Sequence, residues 1–279
     1  MHMITHASAE SQKTLFTFII VAALGFSALI GLSFAKTVFG ATGNLNTQTS
    51  HKKGILFDSA SSDFRTIAPG YSAGTIESTM SLPHTTSGTD RMLFVTVAAS
   101  ESFAATADAV TGVTYAGVPM TLVGKVAVVD SAHAATPIEE YLYYLVAPAV
   151  GTNDIAVSYA PSGSGFQWVW IAGTSYAGVL QSAPDTSAVS ADNLIASSIS
   201  GTVTTLSRKS WVVMASYSGD GNTSAGSDTT IRSITPVLAR AVLSDNMGAQ
   251  RAPSSNVTLT INGNNDRVGS IITAIAPAN

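Results

Sequence analysis

Val257-Thr-Leu-Thr-Ile261, Asn262-Gly263-Asn264-Asn265-Asp266 and Val268-Gly-Ser-Ile-Ile-Thr-Ala-Ile275 follow one another near the end of the chain. In the first run Val257, Leu259 and Ile261 share one face and Thr258 and Thr260 the other, the period of two that marks a half-buried strand. The second apolar run is longer, and Asn-Gly between two such runs predicts a hairpin, because both residues tolerate positive φ. Working backwards, the same grammar repeats. Met92–Ala98, Val113–Tyr115, Met120–Val129, Tyr141–Ala147, Ile155–Tyr159, Phe166–Gly173 and Trp211–Tyr217 are short β-prone runs separated by Gly, Pro, Asn, Asp and Ser. Several are apolar on both faces, namely Leu142–Val146, Trp168–Ala172 and Trp211–Ser216, as in central strands of packed sheets. After the first forty residues no window carries a capped helical stripe. The expectation is an all-β chain: a jelly-roll-like antiparallel β-sandwich preceded by one N-terminal hydrophobic helix.

That helix is read from Leu15 to Ala35, twenty-one residues without a charge, flanked by Lys13 and Lys36. At about 1.5 Å per residue it is long enough to cross a bilayer. Val38-Phe39-Gly40 places small residues for cleavage before Ala41, so residues 1–40 read as a signal peptide, with a retained membrane anchor as the alternative. Residues 41–53 are a polar linker, and residues 54–279 are the β-sandwich domain. The expected location is extracellular or at the cell surface, with membrane contact only through residues 15–35 if they are retained.

Composition narrows the function. Losing Lys13, Lys36 and Glu10 with the first forty residues leaves a net charge of −5, and no Lys/Arg run exceeds two residues, which argues against nucleic acid as a partner. Charged residues are 11% of the chain, so its surface has to be built from Ser, Thr, Asn, Gly and Ala. With no cysteine, disulfides, thiolate metal sites and a Cys nucleophile are excluded.

Three motifs occur in order. They are Val113-Thr-Tyr-Ala-Gly-Val-Pro-Met-Thr-Leu-Val123, then Tyr143-Tyr-Leu-Val-Ala-Pro-Ala-Val-Gly-Thr152 running on to Ile155-Ala-Val-Ser-Tyr159, then Ala172-Gly-Thr-Ser-Tyr-Ala-Gly-Val-Leu-Gln181. Together they resemble a jelly-roll module of exported bacterial surface proteins and some phage structural proteins, over about residues 74–277. The resemblance implies a fold and a location and no catalytic residue. The motifs themselves are structural: Ala116-Gly117 is a turn and Pro119 stiffens the chain after it.

Catalytic signatures are scarce. Gly173-Thr-Ser-Tyr-Ala-Gly178 misses the nucleophile elbow by one residue. His51, His84 and His133 lack metal-ligand spacing and read as solvated or turn residues. Glu139 and Glu140 are adjacent, so on a strand they face opposite ways and cannot act as a carboxylate pair. The chain is therefore expected not to be an enzyme. Two loops offer oxygen ligands that suit calcium: Asp220 and Asn222 with Asp228, and Asn262 with Asp266. The same residues are common turn formers, and no other cofactor is implied. Trp168 and Trp170 fall on one face with Phe166 and form a candidate ligand-binding row for sugar rings. Their neighbours Val169 and Ile171 are also apolar, which favours a core strand, with Trp211 on a similar one. The reading is an exported, non-enzymatic structural or adhesive module. Its rivals are a carbohydrate-binding module, with a glycan or surface protein as partner, and a virion or appendage subunit that self-associates through strand edges.

Overall fold

The computed structural model describes residues 54–67, 79–100, 109–128, 138–159, 167–219, 223–236, 240–246 and 253–279. The hydrophobic segment, the polar linker, His51 and His133 lie outside them. Among the described residues every regular element is a strand, and no helix is long and apolar enough to cross a membrane.

The first nine strands are β1 (Leu56–Ile67), β2 (Thr79–Thr86), β3 (Met92–Ser100), β4 (Val110–Tyr115), β5 (Val118–Pro119), β6 (Thr121–Val128), β7 (Ile138–Val146), β8 (Gly151–Tyr159) and β9 (Gln167–Ala177). They form two antiparallel sheets, one ordered β1-β9-β3-β7-β6 and the other β2-β8-β4-β5. Apart from the hairpins β4–β5 and β6–β7, chain neighbours alternate between the sheets, so most pairings within a sheet join strands distant in sequence. β3 and β9 are apolar on alternate faces in opposite directions: Leu93, Val95, Val97, Val169 and Ile171 meet the four-stranded sheet, where Met80, Leu82, Val113, Tyr115, Ile155 and Val157 complete a core. Ala116 (φ 50°) and Gly117 (φ 78°) make the two-residue turn between β4 and β5, with both central residues left-handed as a type I′ turn requires. Pro83 sits inside β2, which is tolerated because β2 is an edge strand.

The remaining strands are β10 (Thr186–Thr205), β11 (Trp211–Ser218), β12 (Ser224–Ala225), β13 (Thr230–Ile234), β14 (Arg240–Asp245) and β15 (Ser255–Ile275). They build a third antiparallel sheet, β10-β15-β11-β14-β13, with β12 also on β15. One face packs on the five-stranded sheet. There Phe94, Leu142, Trp170 and Tyr176 meet Trp211, Val213, Tyr217, Leu243 and Ile271 in a second core.

The third sheet departs from the sequence reading. Asn262-Gly263 does not close a hairpin; both apolar runs belong to the single strand β15. Each run pairs with β10, Ile261 opposite Ile199 and Val268 opposite Asp192, and the register shifts between Asp192 and Ser198. The two-stranded ribbon doubles back on itself there. Thr186 Oγ1 donates to Thr204 O at 2.8 Å, although a straight strand would part these residues by about 59 Å. The folded half covers the outer face of the sheet, so that Ile199, Val203, Val257, Leu259 and Ile261 lie on Val212, Met214, Val242, Val268 and Ile272 in a third core. Gly201 shows how close the layers come: a Cβ on it would lie 3.1 Å from Ile272 Cβ and from Met214 Sδ. At Gly263 the requirement is close approach, since its Cβ would lie 2.6 Å from Ser218 Oγ. β11 is consequently buried at all eight positions, its two serines included.

Candidate functional site

The aromatic row on β9 divides. Trp170 is 3% exposed and lies between the Phe64 and Tyr217 rings, each 5.5 Å away by centroid. A sugar cannot reach it. Trp168, on the same face two residues earlier, is 36% exposed at the rim, and Trp211 is 8% exposed in the same core as Trp170. The reading that places all three tryptophans in the core therefore holds for Trp170 and Trp211 and is corrected at Trp168, which lies at the end of its strand.

Of the oxygen-rich loops, Asp220 and Asn222 fall outside the described residues. Asp228 is exposed in a turn, with φ 56°. Asn262 is half-buried, and its amide reaches Ser224 Oγ and Ala225 O only at 3.5 Å, in keeping with its role opposite β12. Asp266 is on β15 beside the bend, opposite Ala196, and its side chain lies outside the described residues. Calcium at these loops rests on the sequence alone.

His84 departs from its reading as a solvated residue. It points inward from β2 and is 2% exposed. Ser61 Oγ lies 2.8 Å from its Nδ1 and Ser59 Oγ 3.3 Å from its Nε2. Asp58 joins through Ser175, which donates to Asp58 Oδ2 at 2.8 Å and lies 3.0 Å from Ser59 Oγ. Burial pushes the imidazole down to about 4, with Asp58 only partly opposing. The group contains the residue types of a hydrolase but not their arrangement. The ring nitrogens face hydroxyls rather than a carboxylate, and an imidazole this weakly basic is a poor proton acceptor for serine at neutral pH. No sequence signal marked it, because Ser59 and Ser61 come from a strand with no apolar alternation and Ser175 from a third segment.

The two adjacent glutamates face opposite ways, as expected. Glu139 points toward the four-stranded sheet, where Lys125 Nζ lies 3.3 Å from its Oε1, and the Tyr141 hydroxyl and the Ala109 main-chain N–H meet Oε2. Glu140 points toward the third sheet and is fully buried, with Thr96 Oγ1 donating to its Oε1 at 3.3 Å. Burial pushes its carboxyl well above the ordinary 4.5, and the Thr96 hydrogen bond and the Tyr217 main chain oppose this only in part. A raised carboxyl stabilises the fold fully below its unfolded value and loses that contribution as pH climbs toward the folded value. Stability of the wild-type chain should therefore fall relative to Glu140→Gln as pH rises above about 4.5, by up to about 1.4 kcal/mol per unit. Denaturant unfolding of both proteins from pH 4 to 8 measures this, and parallel curves would refute it.

Among the described residues a groove of about 360 Å³ is also present. It lies where the β6–β7 side of the five-stranded sheet meets the entry to β10, and Leu122, Tyr144, Pro184, Asp185, Ser187 and Thr273 line it. Leu122 is 44% exposed and Tyr144 half-buried. Asp185 Oδ2 is buried with no hydrogen-bond partner. Burial raises the Asp185 carboxyl, and a Ser207 hydrogen bond pulls the other way. The Thr273 hydroxyl donates to Thr186 O at 2.7 Å. The lining holds an aromatic ring, apolar side chains, several hydroxyls and one carboxyl group, and no cation. No hairpin or spacing rule could have assembled it, since its parts come from residues 122, 144, 183–187 and 273. No protein-family model matches this chain, and no curated protein is significantly similar to it.

Proposed function

We propose that this protein is an exported, non-enzymatic module built on a jelly roll, acting at the cell surface or outside the cell in a structural or adhesive role. The fold part of this reading is supported by strand order. β1-β9-β3-β7 facing β2-β8-β4-β5 is the alternation that two Greek keys wound as an eight-stranded double sheet produce, an architecture used by capsid and lectin domains. Export is supported by Leu15–Ala35 with Val38-Phe39-Gly40 after it.

The observation that carries the adhesive role is the outer face of the folded ribbon. Ser200 pairs with Thr260 at 2.7 Å, Thr202 with Thr258 at 2.8 Å and Thr204 with Asn256 at 2.7 Å, all exposed. This is a presented ladder of uncharged hydroxyls and amides. Meanwhile two groups capable of acid–base work are engaged internally, His84 by two serines and Asp245 by Arg232. The exported protein, assayed on a broad panel of glycosides and esters, should show no turnover, and its intact mass should begin at Ala41. A reproducible hydrolysis abolished by Ser61→Ala or His84→Ala at unchanged melting temperature would sink the non-enzymatic reading. A species that retains residues 1–40 and extracts only with detergent would replace secretion by anchoring.

A further inference from the structure

We propose that the groove bounded by Leu122, Tyr144 and Asp185 is a binding site for a neutral sugar. This rests on reading the protein as an extracellular binding module and names the ligand class of that role.

The size is at the lower end of small-molecule pockets, room for one or two sugar rings rather than a long chain. The lining then selects by chemistry. Tyr144 supplies an amphipathic ring and Leu122 an exposed apolar wall, against which the C–H face of a pyranose can lie. The polar groups are biased toward acceptance. Asp185 lines the groove, and its Oδ2 is unpartnered but closed off; a small side-chain shift uncovers it for a donor, relieving the cost of an unmade hydrogen bond. Thr186 and Thr273 spend their hydroxyl protons on main-chain carbonyls, at 2.8 and 2.7 Å. An acceptor-rich lining needs a donor-rich ligand, and a polyol brings many hydroxyl protons. No Lys, Arg or His lines the groove, so a sulfated, phosphorylated or uronic acid sugar would place its charge beside Asp185 with nothing to neutralise it.

The positions are also independent of the tryptophans the sequence nominated. Trp170 is buried, and Trp168 does not line this groove.

The test uses the full chain on an array of neutral oligosaccharides (glucose-, mannose-, galactose- and N-acetylglucosamine-based) alongside sialylated and uronate-containing ones, followed by calorimetry on the strongest neutral hit. The expected result is binding confined to neutral sugars, weakened at least tenfold by Tyr144→Ala and by Asp185→Asn, with Trp168→Ala within twofold of wild type. Tyr144→Phe, which keeps the ring, should retain binding and guards against a folding defect in the alanine variant. A neutral hit whose affinity the groove variants leave unchanged overturns the groove assignment and leaves the adhesive role standing. Preference for acidic sugars, or no sugar binding, overturns it too. Hydrolysis of a hit that still depends on Tyr144 and Asp185 supports the groove and defeats the non-enzymatic reading instead.

Discussion

Trp170→Ala is expected to destabilise the protein by about 3–5 kcal/mol, the range for deleting a large aromatic from a packed core. The indole is 3% exposed at the centre of the interface between the five-stranded sheet and the third sheet. Its ring is held between Phe64 on β1 and Tyr217 on β11, so its loss opens a cavity that neither sheet can close without shifting its own hydrogen-bonded strands. Trp170 Nε1 is buried without a hydrogen-bond partner. Trp170→Phe should therefore cost much less than the alanine change, since phenylalanine keeps much of the apolar contact and removes an unsatisfied donor. Guanidinium unfolding of the three proteins gives both differences. If Trp170→Ala unfolds at the wild-type midpoint, the packing between these two sheets is not what holds the molecule together.

What the sequence revealed and what it hid follow from the same physics. β3, β7, β9 and β11 were legible because they are central strands, and two-sided burial puts consecutive apolar residues on both faces over much of each one. β1 and β2 were not. β1 reads Leu-Phe-Asp-Ser-Ala-Ser-Ser-Asp-Phe-Arg-Thr-Ile from Leu56 and lies at a sheet edge, where one row of backbone groups and much of the side-chain surface meet water. β2 alternates in burial, but its inward residues are Met80, Leu82, His84 and Thr86, and only the first two look like core. Asn262-Gly263 misled for a different reason. The dipeptide allows a reversal, but whether the chain reverses depends on its partners, and β10 offers one long enough to pair on both sides of it. The same bend creates the third core, which no local pattern could have announced.

The candidate site was less legible. The tryptophans drew attention because aromatic residues are conspicuous, yet the accessible groove relies on one tyrosine, one carboxylate and backbone-committed threonines. Leu122 belongs to the Val113–Val123 motif and Tyr144 to the one after it, so the motifs that suggested a fold also deliver two walls of the groove. Asp185 and Thr273 come from the third sheet, and nothing in their spacing ties them to residue 122 or 144. Only the packing of that sheet on the β6–β7 edge does so.

The second large effect is expected at Asp245, which ties the same two sheets electrostatically. Its carboxylate is fully buried at the end of β14. Arg232 Nε lies 2.8 Å from Oδ2, and the Tyr176 hydroxyl on β9 donates to the same oxygen at 2.9 Å. The Arg232 side chain is itself only 13% exposed, and its guanidinium carbon lies 4.4 Å from the Phe57 ring centroid. Burial pushes the Asp245 carboxyl up and Arg232 pulls it back; burial likewise raises the Tyr176 hydroxyl well above its ordinary value. Asp245→Ala would strand a largely buried cation and leave the Tyr176 hydroxyl without its acceptor, at a cost of about 3–5 kcal/mol. That figure is mainly the penalty of the orphaned groups and not the worth of the pair, because two buried charges recover little beyond their own desolvation. The double variant Arg232→Met with Asp245→Leu should therefore lose less stability than Asp245→Ala alone, even though it removes more polar contacts. Denaturant unfolding of the single and double variants decides the matter. If the double variant is the less stable of the two, the cluster contributes net attraction, and the two sheets are fastened by charge as well as by the apolar core around Trp170.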